Sequence, residues 1–518
     1  MVQFGKNILE NLTTGMYSDA RVMYREYVQN SCDAIDAAVN VGIIDRKDAS
    51  IDISIDADKK EICIRDNGSG IRKENFQRVL SDIANSDKKR AVDKGFRGIG
   101  RLCGLAYCDE LQFISSSIGE DDASIMTWDA KKMRIMLNDE RKHSVDEVLG
   151  EILKISSKPT KKDEHFFELI MVGVSSHELL DKDKIRDFLA FEIPVPYPNK
   201  FIFNKLIYDH AKSLGVSIDE YNIFVNEEQV FKDYKTKIYS GGKVHDEIKG
   251  IEFQDFYDED EKLFAWMWYG LSSLNGQIKA QGNMQRGLRL RKGNIQIGSS
   301  HTLRQLFKDG RGNEYYIGEV FAVHPDLVPN ARRDYFNENR MREKLESCLR
   351  EYFDFLWRLC NIASEERSAY KKINDYRNFC SKYEEKITIG FSGDADRETM
   401  NVLLEEKQQA AKDAQKVLRK SAESKDIISG KIKSYVCTSE GGQGLKSLDL
   451  HFDSFISIRK TENGKKIKTA YITDDLSQYT KETRRVVGKI YDLINQNEPD
   501  IAEKLIAKIH AGLKTRKD

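Results

Sequence analysis

Apolar and polar positions follow two different periods in the N-terminal part of the chain. Residues 20–39 contain helix formers without proline or glycine, and their spacing predicts one amphipathic helix. Isoleucines then alternate with polar residues over 51–55 and again over 62–64, which predicts two strands joined as a hairpin. Residues 84–90 are polar and have no apolar periodicity, so they predict a mobile loop.

Proline marks the organisation of the rest of the chain. Residues 194–198 hold three prolines, and because proline interrupts helices they predict an extended junction and a domain boundary near residue 200. Residues 201–340 mix strand-like and helical spacing, which predicts a second α/β domain. No proline occurs over 330–498, so long helices are permitted in the last region.

Helical spacing dominates this last region, residues 341–518. Apolar residues over 345–359 recur at the spacing of a seam that packs on another helix. Residues 400–425 are rich in Glu, Lys, Gln and Ala and predict a solvated helix. Apolar stripes over 486–494 and 501–509 predict a final pair of helices, whose apolar faces form either a dimer surface or an intrachain packing face.

The composition is that of a globular chain with several cores. Its 518 residues suggest three or four domains, with 40% hydrophobic and 32% charged residues. Lys and Arg total 83 against 84 Asp and Glu, so no overall attraction to nucleic acid or to an anionic membrane is expected. The sequence has no membrane-spanning run or signal-peptide pattern, which predicts a cytoplasmic protein. The eight cysteines form no CxxC pair, which favours free thiols.

The first motif with candidate chemistry lies on the predicted N-terminal helix. Glu26, Asn30 and Asp33 occur at i, i+4 and i+7, so they project from one face of a helix. This face is either the solvated side or a site where a carboxylate activates water. In the second case an amide oxygen could hold Mg²⁺, a hard cation that prefers oxygen ligands.

The second motif, Asp66-Asn67-Gly68-Ser69-Gly70, directly follows the second predicted strand. Asp, Asn and Gly are the residues expected in a turn that ends a strand. The same residues also suit a purine pocket, in which a buried Asp66 carboxylate accepts a hydrogen bond from an exocyclic amine. Gly70 would let a flat ring approach the backbone. The motif alone leaves both interpretations open.

The third motif is rich in glycine. Gly95, Gly98 and Gly100 precede a predicted helical segment, and glycines at this spacing expose backbone N–H groups where phosphates can bind. Glycine-rich turns are common, so this motif is weak by itself. The sequence has neither a dinucleotide-binding fingerprint nor a GxxxxGK[ST] phosphate loop.

In this order and spacing, the three motifs resemble the GHKL ATPase superfamily, which includes gyrase, the ninety-kilodalton heat-shock protein, histidine kinases and MutL repair proteins. The resemblance implies a Bergerat-type α/β (α+β) sandwich over residues 1–200 that binds ATP and Mg²⁺. It also implies a mobile lid over 71–95. The site residues carried over are Glu26 as general base, Asn30 as Mg²⁺ ligand, Asp33, Asp66, Gly68 and Gly70 at the nucleotide, Lys88 as a lid contact to phosphate, and Gly95, Gly98 and Gly100 as the phosphate loop.

Later segments resemble the ninety-kilodalton heat-shock protein in particular. Residues 165–172 and the proline-rich junction look like the exit from its ATPase domain, although Glu164-His165 replaces a Gly-Thr pair whose threonine helps to hold adenine. Residues 329–337 resemble its middle-domain catalytic loop. By that match Arg333 reaches the γ-phosphate, a task that suits a planar guanidinium, and Asn337 is a further candidate. A surface pair or a salt bridge without phosphate is the alternative for Arg333.

The resemblance implies an Mg²⁺-dependent ATPase that couples turnover to domain closure and acts on protein clients as a chaperone. It also implies a transducer-like middle domain over 201–340 and a mainly helical region over 341–518, which could pair subunits in a homodimer. One alternative is a GHKL switch acting with nucleic acid, as in MutL-like, chromatin or phage-defence ATPases. Its basic groove would contain Arg286, Arg289, Arg291 and Lys292. Another alternative is a nucleotide-gated scaffold without turnover.

Overall fold

The computed structural model divides the chain into two compact units. The first unit comprises residues 1–271 and 277–357, and the second comprises 272–276 and 358–518. The predicted domain boundaries at 200 and 340 stay predictions. The residues that the structure describes are 19–81, 100–139, 144–422, 426–439 and 469–515.

The described part of the first unit includes the predicted helix and hairpin, and both are confirmed. Strands β1 and β2 pair antiparallel, with Ile53 opposite Ile64, and the alternating isoleucines are buried. The elements up to the last strand of the first sheet are α1 (Val22–Asn40), β1 (Ser50–Asp56), β2 (Glu61–Asp66), α2 (Lys73–Ser81), a 3-10 helix (Gly100–Ala106), β3 (Glu110–Ser116), β4 (Asp122–Asp129), α3 (Ala130–Asn138), α4 (Val145–Ile152), β5 (Leu153–Pro159), β6 (Phe166–Val172), α5 (Lys182–Glu192), α6 (Asn204–Ser213), β7 (Asn222–Val225) and β8 (Glu228–Gln229).

These strands form an eight-stranded sheet in the order β5-β4-β3-β6-β2-β1-β7-β8. Its pairs are antiparallel except β1 with β7. Apolar residues of α1 share one core with the sheet, because Tyr24, Val28 and Ile35 are buried together with Leu111 and Met171. This packing turns the remaining face of α1 toward the polar motifs.

A second sheet completes the first unit. Its order is β11-β12-β15-β13-β14, beside a ribbon of β9 and β10. Trp266 and Trp268 of β12 are fully buried, as is Trp128 of the first sheet. The strands are β9 (Lys237–Ser240), β10 (Lys243–Glu247), β11 (Gly250–Tyr257), β12 (Leu263–Leu271), β13 (Gly287–Lys292), β14 (Ile295–Ile297) and β15 (Ile317–Ala322).

The arginines of β13 correct one sequence-based expectation. Arg289 and Arg291 are 6% and 0% exposed, so they form neither a basic groove nor a solvated strand face. The Arg291 guanidinium pairs with Glu319, whose Oε2 also lies 2.7 Å from Lys232 Nζ. Burial alone would raise the pKa of Glu319, but the charges of Arg291 and Lys232 hold it well below its usual range. The alternation therefore marks a buried ionic cluster.

The other two members of the predicted groove are only partly exposed. The Arg286 guanidinium lies 3.7 Å from the Glu314 carboxylate, and the side chain is 18% exposed. Lys292 Nζ donates to the carbonyl oxygens of Val323 and His324. The four residues therefore do not present a shared basic surface.

Long helices follow the second sheet and confirm the predicted fold class, mixed α/β sheets with a helical C-terminal region. The seam at 345–359 is buried at Leu345, Leu349 and Leu356, and Tyr352 Oη of this stripe lies 2.8 Å from Tyr269 Oη of β12. Phe353 stacks on Phe307, which follows a 3-10 turn of the first unit. The helices are α7 (Arg340–Ile389), α8 (Asp394–Ala422), α9 (Ile427–Ser439), α10 (Lys481–Asn497) and α11 (Ala502–Thr515).

The last two helices pack on each other within the chain. Tyr491 of α10 and Ile506 of α11 belong to one small core. Val486 and Leu493 of α10 remain 56% and 57% exposed, so only part of the predicted stripe is used there. All eight cysteines are free thiols. Among the described residues, no helix combines the length and apolarity that crossing a bilayer requires.

A substitution at Gly70 tests the tight turn after β2. Its φ is +64°, and a Cβ there would overlap the carbonyl oxygen of Ser116. We expect Gly70→Ala to lower the free energy of unfolding by more than ~2 kcal/mol, measured by urea denaturation.

Gly119→Ala is the matched control. Gly119 also has a positive φ, +91°, but nothing lies within 4 Å of the added Cβ. Backbone strain alone should cost it about 1 kcal/mol. Equal losses in the two variants would show that the contact with Ser116 does not matter.

Candidate functional site

Helix α1 carries the first group of predicted site residues. Glu26 and Asp33 are 8% and 9% exposed, and Asn30, one turn after Glu26, is half-buried. The burial of two carboxylates on an apolar helix is not what a solvated face would show. The structure therefore places Glu26, Asn30 and Asp33 on one face of α1, as the spacing predicts.

The predicted phosphate loop is described only at its end. Gly100 begins the 3-10 helix, and a Cβ there would lie 2.7 Å from Glu26 Oε2. The start of this helix therefore adjoins the candidate base. Lys88, Gly95 and Gly98 lie outside the described residues, as do the predicted loop at 84–90 and most of the predicted lid. Helix α2 occupies the first part of the lid segment.

Tyr27 fastens the 3-10 helix to α1. Its hydroxyl accepts a hydrogen bond from Gly104 N at 2.8 Å and donates to the Arg101 carbonyl at 3.1 Å. Burial raises the pKa of this hydroxyl well above its usual range, so it remains a donor. The sequence analysis missed this residue, although it directly follows Glu26.

Asp66 ends β2 in a buried position and is 1% exposed. Its Oδ1 accepts a hydrogen bond from Gly68 N at 3.0 Å, whereas Oδ2 makes none in the described part of the chain. Burial raises the pKa of this carboxyl to about 7, although Ser31, the Gly68 and Phe167 amides and the charge of Arg65 oppose the shift. A buried oxygen without a partner suits an exocyclic amine of a purine.

Two further side chains fix the turn after Asp66. Ser115 Oγ accepts from Ile71 N and donates to the Phe166 carbonyl, both at 2.8 Å. His165 Nδ1 lies 2.8 Å from the Gly68 carbonyl oxygen, so Nδ1 carries the hydrogen. His165 is one of the two residues at which the resemblance implies a Gly-Thr pair.

Arg333 lies beside the candidate base. Its side chain is buried, and its Nε is 3.7 Å from Glu26 Oε1. The backbone is left-handed, with φ 56°, and Gly298 N donates to the Arg333 carbonyl at 2.7 Å. Arg332 is exposed, and so is Asn337. The structure therefore brings Arg333, and not its neighbours, to Glu26.

A second guanidinium contacts the same carboxylate. Arg25 Nη2 lies 3.6 Å from Glu26 Oε1, and Arg25 Nη1 lies 3.3 Å from Glu192 Oε2. Sequence reasoning missed both Arg25 and Glu192. The first adjoins the motif, but Glu192 follows Arg25 by 167 positions and belongs to no motif.

Comparison with known proteins agrees with this geometry. Residues 18–154 match a family model described as histidine kinase-, DNA gyrase B- and HSP90-like ATPase. We call residues 18–154 the GHKL domain, after the ATPases that they resemble. The resemblance predicted from the three motifs is thereby confirmed.

Proteins similar to this chain include bacterial proteins named chaperone protein HtpG. The one from Sulfurovum sp. is 24% identical over 211 residues, which are 37% of this chain and 31% of that relative. The one from Clostridium acetobutylicum is 24% identical over 217 residues, 39% of this chain and 32% of the relative. The match to these two relatives thus spans about a third of their length.

The described residues of the GHKL domain fit ATP and Mg²⁺. Asp66 Oδ2 and Glu26 Oε1 are both buried and make no hydrogen bond in the described part of the chain. Asn30 and Asp33 supply oxygen donors of the kind that Mg²⁺ prefers. The site therefore brings a buried Asp66 carboxyl and a separate buried Glu26 carboxyl together with the oxygen donors of Asn30 and Asp33.

The raised pKa of Asp66 predicts pH-dependent adenine recognition. The carboxylate accepts the amine best when ionised, so below its pKa of about 7 it must release a proton on binding. We expect affinity to fall by up to ~10-fold per pH unit below 7 and to level off above it. Calorimetry with adenosine, which has no titrating phosphate, measures this directly.

Asp66→Asn serves as the control for this titration. It cannot ionise, so its affinity should be lower and independent of pH. A wild-type affinity that stays constant from pH 5.5 to 8 would contradict recognition by the ionised carboxyl.

Proposed function

We propose that this protein is an Mg²⁺-dependent ATPase that couples hydrolysis to movement of the segment carrying Arg333, in a chaperone-like cycle on protein clients. The single observation that supports this most is the contact between Arg333 and Glu26. It joins a residue of the GHKL domain to one far outside the family match. The names of the HtpG relatives support the chaperone-like part of the proposal.

Adenine recognition is assigned to the turn after β2. Asp66 would accept the exocyclic amine through Oδ2, the oxygen without a partner. Gly68 and Gly70 lie in this turn, and a Cβ on either would overlap protein atoms packed against it, so both positions require glycine. His165, fixed to the Gly68 carbonyl, stands near the place of the family's threonine.

The phosphates are assigned to the opposite end of the site. Gly100, with the other loop glycines, would bring backbone N–H groups to them. Asn30 would hold Mg²⁺, with Asp33 beside it on the same face of α1. A bound Mg²⁺ neutralises charge on phosphate oxygens.

Glu26 is assigned the hydrolytic step. Its carboxylate would orient a water and take its proton as the oxygen attacks the γ-phosphorus, and the bond to the β-phosphate oxygen would break to leave ADP. Arg333 would stabilise charge on the γ-phosphate oxygens. Arg333 also contacts Glu26, so an approach to the γ-phosphate would change this contact. This change links ATP binding to movement of the Arg333 segment.

The two alternative functions, a switch acting with nucleic acid and a scaffold without turnover, gain no specific support. Arg289 and Arg291 are buried, so the groove proposed for nucleic acid lacks its central residues. A scaffold without turnover would not need a buried base. A homodimer stays a prediction.

The first expected outcome concerns the general base. Glu26→Gln keeps the size of the side chain but cannot accept the proton of water. We expect kcat for ATP hydrolysis to fall by about a hundredfold or more, with ATP still bound. Steady-state turnover and calorimetric binding, each with Mg²⁺ and with a chelator, measure the two quantities.

Glu178→Gln is a suitable control for that substitution. Glu178 is a surface carboxylate of the same unit that lies 3.4 Å from Arg21. Its variant should keep wild-type turnover. ATP binding without any turnover in the wild type would instead favour the scaffold.

The second expected outcome concerns Arg333. Arg333→Ala should lower kcat at least tenfold and weaken ATP binding, because the γ-phosphate loses its guanidinium. ADP affinity should be unchanged. Arg332→Ala, the exposed neighbour, should behave as the wild type in both assays. Equal effects on ATP and ADP would rule out contact of Arg333 with the γ-phosphate.

A further inference from the structure

A buried polar network connects α1 to the strand pair β13–β14, and the proposed mechanism does not use it. We call it the Gln296 network. Each of its residues is at most 8% exposed, although all are polar or charged. Its members are Arg25, Glu192, Gln296 and Arg289. Buried polar groups are costly unless they are bonded, so such a network holds its members in place.

The first part of the network leads to the base. Arg25 contacts the Glu26 carboxylate on one side and Glu192 Oε2 on the other, at 3.6 and 3.3 Å. The second oxygen of Glu192, Oε1, accepts a hydrogen bond from Gln296 Nε2. The position of Arg25 beside Glu26 therefore depends on Glu192, which in turn depends on Gln296.

Arg289 fixes the orientation of the Gln296 amide. Gln296 Oε1 accepts from Arg289 Nη1 at 2.6 Å, and the Arg289 guanidinium lies 4.2 Å from the centre of the Phe191 ring. With Oε1 committed to a guanidinium, Nε2 must face Glu192. A glutamine amide can accept from one partner through its oxygen and donate to the other through its nitrogen.

The Gln296 amide also supports the segment that carries Arg333. Gln296 Nε2 lies 3.2 Å from the Gly298 carbonyl oxygen, and Gly298 N donates to the Arg333 carbonyl at 2.7 Å. The turn after β14 therefore holds the backbone of Arg333. The Gln296 side chain therefore belongs to two series of contacts that end at the Glu26 carboxylate. One runs through Glu192 and Arg25, and the other runs through Gly298 and Arg333.

We propose that Gln296 is a positioning residue that sets Arg25 and Arg333 on the Glu26 carboxylate and so couples the β13–β14 pair to ATP hydrolysis. This inference rests on the proposed ATPase function and adds a residue that no motif contains. Gln296 acts through other groups and touches no substrate. Its effect is therefore on the geometry of hydrolysis and not on adenine binding.

The electrostatics of Glu192 predict that substitution of Gln296 also changes the pH dependence of turnover. Burial raises the pKa of Glu192, and the charges of Arg25, Arg289 and Arg291 oppose that rise. Loss of the Gln296 N–H donor raises the pKa further, because a hydrogen bond to the ionised form is removed. A protonated Glu192 no longer pairs with Arg25. Turnover of a Gln296 variant should therefore decline at a higher pH than that of the wild type as the solution is acidified.

The test compares Gln296→Met with Gln285→Met in the full-length protein. Gln285 is another buried glutamine of the first unit, 2% exposed, and the Lys235 amide donates to its Oε1. Among the described residues it makes no hydrogen bond to the network. Gln296→Met should lower kcat about tenfold or more with KM within about twofold, and move the acid limb of kcat to higher pH. Gln285→Met should leave kcat and KM within about twofold of the wild type and the acid limb of kcat at the same pH. Equal losses in both variants would overturn the inference, since any buried glutamine would then matter.

Glu192→Gln keeps the test decisive if Gln296→Met fails to fold, which circular dichroism would reveal. It removes the charge that holds Arg25 while nearly conserving shape. We expect a similar loss of kcat without a shift of the acid limb, because position 192 no longer titrates. Wild-type turnover in Glu192→Gln would overturn the inference.

A readout without turnover separates this inference from the proposed function. The ratio of ATP to ADP affinity reports whether Arg333 reaches the γ-phosphate. Gln296→Met should lower this ratio toward that of Arg333→Ala, and Gln285→Met should not. If the wild type binds ATP without hydrolysing it, the ATPase proposal fails and an unchanged ratio in Gln296→Met overturns the positioning role as well. If the wild type hydrolyses ATP and Gln296→Met retains its kcat and ratio, only the inference fails.

Discussion

The need to pair buried charge is the constraint on which the first unit depends. Removing one partner of a buried ion pair typically costs about 3–5 kcal/mol, because the other charge is left unpaired in the interior. Glu319 has Arg291 and Lys232, and Glu192 has Arg25. These pairs join residues that are far apart in sequence. The fold must bring them together at once, which favours one arrangement of the sheets and α1 over others of similar apolar burial.

Much of the fold could be predicted from the period of the sequence. The helix at 22–40 and the hairpin β1–β2 follow from apolar spacing, because each buries one face on the same core. The partners of an element could not be predicted in this way. The stripe at 345–359 has the spacing of a helix seam, yet Phe353 packs on Phe307, because an apolar stripe fits any apolar surface of suitable shape.

The residues of the candidate site also differ in whether they could be predicted from the sequence. Glu26, Asn30 and Asp33 could be grouped from their spacing alone, since an α-helix fixes which side chains share a face. Arg289 and Arg291 were misjudged because alternating charges look the same whether the opposing layer is water or a carboxylate such as Glu319. Glu192 and Gln296 gave no signal at all. Their roles come from contacts across more than a hundred positions, which no local pattern records.

The tryptophans have an uneven distribution with a practical consequence. All four, Trp128, Trp266, Trp268 and Trp357, belong to the first unit, and the first three are almost completely buried. Trp268 Nε1 also donates to Tyr197 Oη at 3.0 Å, inside the Glu319 cluster. Tryptophan emission, excited selectively over tyrosine, is therefore a spectroscopic label for this unit that needs no engineering and has no source in the second unit. Far-ultraviolet ellipticity reports the second unit as well, so the two signals recorded in one titration distinguish a concerted transition from a stepwise one.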